Sequence, residues 1–144
     1  MTPQIIFKIA NLIVLPAWLL LIIFPRAKVT TTYIKSGRVS LVLSVIYFIS
    51  LALHRFHEPQ QGGFSSLEDV RLLFASDWAL LAGWIHYLAF DLFIGSEFVD
   101  VFSGRPIVRT LVMLLTFWFG PVGYLLAKFL SRTSQAAQPL RNEV

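Results

Sequence analysis

WIHYLAFDLF, residues Trp84–Phe93, decides how this chain is read. Seven of its ten side chains are at home in hydrocarbon, yet His86 and Asp91 stand among them. An ionisable group in a bilayer interior is costly unless it finds a partner, faces a cavity or serves a function. Five steps at roughly 100° per residue turn the two side chains about 140° apart on a helix, so they do not stack on one another. Gly83, Tyr87, Phe90 and Ile94 point between those directions. With Trp84 beside them, they form a glycine gap and an aromatic stripe flanked by an imidazole and a carboxylate. That pattern predicts one wall of a pocket for a long apolar molecule.

The stretch belongs to Trp78–Ile94, one of four apolar runs; the others are Ile5–Phe24, Val39–Leu53 and Leu111–Leu130. Measured against the roughly 20 helical residues that cross a bilayer, the runs predict an all-α bundle of four transmembrane helices. The whole composition agrees. Of 144 residues, 56% are hydrophobic and only 14% charged, and the mean hydropathy is +0.70. Residues 1–132 read as a single integral membrane domain and residues 133–144 as a flexible polar tail. The first run is too long for a cleaved signal and lacks a small-residue cleavage site, so it reads as retained, with Pro16 bending it.

Between the second and third runs, Pro59 and Gly62-Gly63 mark a turn. Ser65 followed by Glu68 has the spacing of a capping box. Leu67, Val70, Leu73 and Phe74 then oppose Glu68, Asp69 and Arg71, which predicts a short interfacial amphipathic helix. Ser76 is placed to cap the third span, with Asp77 in its first turn. In the fourth run, Gly120, Pro121 and Gly123 weaken the backbone ladder and admit a close neighbour.

Four spans put the amino terminus, the middle loop and the tail on one side, A, and the other two loops on side B. Lysines and arginines then divide six against six, which leaves orientation undecided. The net charge of +4 belongs to bases beside apolar runs, where lipid phosphates are the simple partners, and nucleic acid is excluded as a partner.

The absence of cysteine removes disulfides, thiolate nucleophiles and cysteine-held metals. His54 and His57 have the spacing of a metal pair but no third ligand nearby, and read as exposed interfacial side chains. No metal or cofactor is expected, and no phosphate loop, catalytic triad or nucleotide fingerprint is present. For His86 the alternatives are a bond to a neighbouring helix or a catalytic base. Asp91 either pairs with Arg26, Lys28, Arg105 or Arg109, on the basic loops of side B, or acts as a catalytic acid.

With these residues in hand, the chain resembles the plant neoxanthin-synthase-like membrane family known from abscisic-acid-deficient plants, which also has bacterial members. The resemblance rests on Trp84-Ile85-His86 followed by Asp91-Leu92-Phe93, on VLPAWLLLIIFP in the first run, on FASDWALLAGWIH at the entry to the third, and on GPVGYLL in the fourth. It covers nearly the whole chain in order. The short middle loop and the lack of a transit peptide before Met1 point to a bacterial cell membrane ahead of a plastid one. The resemblance implies a carotenoid or related isoprenoid ligand within the bilayer. Conversion of an epoxidised xanthophyll to an allene needs an acid for the oxygen and a base for a polyene proton, without a redox cofactor. His86 and Asp91 are assigned those roles by inference. The alternative is a non-catalytic bundle that stabilises a membrane complex, with both residues tying helices together.

Overall fold

The computed structural model describes residues 2–57 and 62–136, with the backbone alone for residues 57 and 133–136. Among the described residues, three helices are long and apolar enough to cross a membrane. They are α1 (Pro3–Ile23), α2 (Arg38–His57) and, after the short α3 (Leu67–Leu73), α4 (Asp77–Phe98). Two shorter helices follow, α5 (Pro106–Phe119) and α6 (Pro121–Ala136). Of the predicted tail, residues 133–136 belong to α6, while residues 137–144 and the turn at Pro59 lie outside the described residues.

α4 is the hub, packed against α1, α2 and α5. Its start is set by Ser76, whose hydroxyl accepts the Ala79 N–H at 3.1 Å, with Asp77 in the first turn near the positive end of the helix dipole. Small residues let its neighbours approach. A Cβ at Gly95 would run into the Trp18 ring of α1, and Ala82 and Ala89 are buried among larger side chains. Leu21, Leu43, Ile85, Leu92 and Met113 complete a core drawn from four helices. The bulky residues left over point outward: Leu12, Phe48, Leu125 and Trp118 are all well exposed. Apolar outside as well as inside, these helices fit a protein embedded in a bilayer.

The last apolar run does not form one continuous helix of spanning length. Pro121 has no N–H to offer and disfavours helix at the residue before it, so α5 stops at Phe119, and Gly120 turns the chain. α6 then doubles back. Gly123 sits so close to Thr116 that a Cβ would overlap its backbone. In a continuous helix those two residues would be about 10 Å apart along the axis. The returning helix sets Tyr124 edge-on to Phe98 at 5.8 Å and Lys128 Nζ 5.5 Å from the same ring, at the end of α4. The run expected to cross as Leu111–Leu130 is therefore a helical hairpin. α5, with 14 residues, is about 21 Å long and short of a roughly 30 Å hydrocarbon core.

This changes the charge tally. The hairpin returns Lys128 and Arg132 to the end of the bundle that holds Arg26, Lys28, Lys35, Arg38, Arg105 and Arg109, making eight bases, against Lys8, Arg55 and Arg71 at the other end. Arg141 is outside the described residues. Lys35 and Asp100 form an ion pair that joins the two connections on side B.

Two local expectations are also corrected. The cap of α3 is Ser66, one residue later than the Ser65–Glu68 box: its hydroxyl accepts the Asp69 N–H at 3.0 Å and donates to Asp69 Oδ2 at 2.8 Å. His54 is buried, and its Nδ1 lies 2.9 Å from the Ser76 hydroxyl. The imidazole thus ties the end of α2 to the cap of α4. The side chain of His57 lies outside the described residues.

Candidate functional site

Trp84, Tyr87, Leu88 and Asp91 recur at steps of three and four and so share one face of α4. That face meets Asn11, Val14, Leu15 and Trp18 of α1, and Phe117 and Trp118 at the hairpin tip. Together they enclose a cavity of about 120 Å³. Its depth follows from Tyr87, which lies ten residues after Asp77 and eleven before Phe98, at the middle of α4.

Each polar group here has a structural setting. Because α5 ends abruptly, its last carbonyls lack helical partners. The Tyr87 hydroxyl reaches two of them, Phe117 O at 3.1 Å and Trp118 O at 3.3 Å, and so pins the tip to α4. Asp91 is only 5% exposed, and its Oδ2 is buried with no hydrogen-bonding partner among the described residues. Its carboxylate occupies the room left by the missing side chain of Gly120, where a Cβ would overlap Oδ1. Asn11 donates to Phe7 O at 2.7 Å. The walls are aromatic: Trp84 lies 5.6 Å from Tyr87 and 5.7 Å from Phe7, and Trp18 meets Phe117 at 5.5 Å.

Because the hairpin stops halfway, the groove between α1 and α4 is unfilled beyond its tip. There a second pocket of about 550 Å³ is lined by Phe7, Leu80, Leu81 and Trp84, with Asp77 and Thr2 at its outer end. Trp84 belongs to both spaces. The result is an apolar pocket at one end of the bundle and, across the Trp84 side chain, a smaller cavity that holds a carboxylate and a phenol.

The residues singled out in the sequence divide into two groups. Trp84, Tyr87 and Asp91 come together. His86 does not join them: it is exposed on the side of α4 that faces α2, stacked on Phe90 at 4.7 Å and edge-on to Tyr47 at 5.6 Å. Phe90 lines a separate pocket of about 300 Å³ with Ser40, Ser44 and Phe93. Gly83 lies under the Phe74 ring, and Ile94 is half-buried. Arg26 and Arg109 line a pocket at the side B end, Lys28 is exposed, and Arg105 caps the start of α5, whereas Asp91 lies seven residues inside α4. The carboxylate turns instead to the hairpin tip. Trp18, Phe117, Trp118 and Gly120 were not anticipated as site residues; the GPVG sequence was the signal, since a glycine beside a helix-ending proline marks both a turn and a close approach.

The matched family model, ABA4-like, described as ABA DEFICIENT 4-like, covers residues 5–126. This chain belongs to that family. Protein ABA DEFICIENT 4, chloroplastic, of Arabidopsis thaliana is 27% identical over 124 residues, covering 82% of this chain and 56% of the relative. The chain therefore spans little more than half the length of that curated relative. No solved structure matches. The ABA DEFICIENT 4-like match includes every residue that lines the central cavity and the Gly120-Pro121 turn.

Proposed function

We propose that the chain binds a carotenoid or related isoprenoid in the groove between α1, α4 and the hairpin tip, and isomerises it by proton transfer at Asp91. The observation that carries this reading is a buried carboxylate with an unpartnered oxygen, beside the cavity that adjoins an apolar groove. A polyene needs a long apolar slot, and from Asp77 to Asp91 α4 extends about 21 Å. A carboxyl can give its proton to an epoxide oxygen as the C–O bond opens and, once ionised, take a proton from the polyene. The two transfers cancel, so the isomerisation needs no net acid, oxidant or reductant. Tyr87 holds the tip in place, and His86, turned towards α2, serves packing.

The test uses protein purified from a host that makes epoxy-xanthophylls. Apolar extracts analysed by mass spectrometry should contain a recurring polyene, and Asp91→Asn should retain it without converting it. Bulk phospholipid alone in the extract would refute binding. Conversion surviving in Asp91→Asn would refute the chemistry.

The same reading sets the chain in its membrane. Eight bases against three favour side B facing the compartment of synthesis, and the exposed Leu67 and Leu72 of α3 suit a helix lying along the opposite surface. Single cysteines at Ser36 and Ser131, introduced into this cysteine-free chain, should both label from the synthesis side; labelling from opposite faces would restore a fourth span.

A further inference from the structure

We infer that the basic pocket where α1 ends and α5 begins is a binding site for the phosphate of an anionic membrane lipid. The pocket measures about 460 Å³ and is lined by Arg26, Arg109 and Ser103 against Ile23, Phe24 and Pro25. No acidic side chain lines it. Two guanidinium groups facing one space repel each other unless an anion lies between them, and a planar guanidinium suits the oxygens of a phosphate. Arg109 lines the pocket, and its Nε is buried with no hydrogen-bonding partner among the described residues, a donor left unused. Thr30 fixes the floor by donating to Phe24 O at 2.7 Å.

The position favours a lipid over a soluble anion. The pocket lies between the end of α1, a helix long and apolar enough to cross a membrane, and the first turn of the hairpin; the end of a membrane-crossing helix is where lipid phosphates are met. Ile23 and Phe24, which line it, are each 58% exposed, which supplies an apolar surface for acyl chains. The free N–H groups of the first turn of α5 add positive potential. Basic pockets between membrane helices commonly hold anionic head groups in this way. This site lies at the side B surface, apart from the groove that opens at the other end, so it stands whether or not the proposed catalysis does.

The experiment is native mass spectrometry of the full chain released from detergent with phosphatidylglycerol or phosphatidylcholine. Phosphatidylglycerol should be retained in preference, and Arg26→Gln and Arg109→Gln should each lower that retention at least fivefold. Lys8→Gln, which removes a charge at the opposite end, should leave it unchanged. Arg26 is exposed, so Arg26→Gln keeps the test decisive if Arg109→Gln does not fold. Equal retention of the two lipids, an equal loss in Lys8→Gln, or displacement by glycerophosphoglycerol at the same concentration would overturn the lipid assignment.

Discussion

The two faces of α4 carry similar residues and have different environments. One face presents Trp84, Tyr87 and Asp91, the other Gly83, His86 and Phe90, and both combine aromatic rings with one ionisable group. Asp91 is enclosed because α5 turns at Gly120 directly over it, and because Trp18 and Asn11 of α1 close the remaining side. His86 lies beside α2 near the surface, and its neighbours cover its ring faces without surrounding it. A polar residue in an apolar helix thus becomes a site only where several other elements converge on it and leave space. Residue type alone does not distinguish the two cases.

Substitutions on the two faces should separate them. The largest effect belongs to Asp91→Asn, which should lower pigment conversion roughly a hundredfold or more if the carboxyl moves protons. Protein yield should hold, since the amide replaces a carboxylate whose Oδ2 already lacks a partner. Comparable activity in variant and parent would place the two faces on an equal footing. Next comes Gly123→Ala. Its new methyl would meet the Thr116 backbone, which has no rotamer to adopt, so the hairpin must open. A loss of about 1–3 kcal/mol is expected from such overpacking, read as a lower melting temperature in detergent. An unchanged melting temperature would mean that the tip is not held in this way. The smallest effect is on the outer face. His86→Ala loses its ring contacts with Phe90 and Tyr47, at most about 1 kcal/mol of pairing, and should leave conversion within about twofold. Loss of conversion at normal yield would bring His86 into the chemistry and break the contrast.

Much of the fold was legible along the chain because it depends on neighbours in sequence. The first three apolar runs became α1, α2 and α4, and Ser76 caps α4 as its place before the run predicts. Legibility fails where the outcome depends on a partner far along the chain. His54 reads as an interfacial side chain until Ser76, 22 residues on, is folded against it. Gly120, Pro121 and Gly123 announce a weak point, but a weak point permits either a kink that continues across the bilayer or a full reversal. Contact of Gly123 with Thr116 and of Tyr124 with Phe98 selects the reversal. The 140° between His86 and Asp91 was likewise readable, whereas which direction opens on a cavity was not.

What the amino acids determined unaided is an affinity for the bilayer and the positions of three helices long and apolar enough to cross it, since the hydrophobicity of a helix is a sum over its own residues. What folding decided is the reversal of the last apolar run into a hairpin, the gathering of bases at one end that follows, and the choice of Asp91 over His86 as the enclosed group. Enclosure is built by side chains from α1, α4 and α5 at once, and no single segment contains that information.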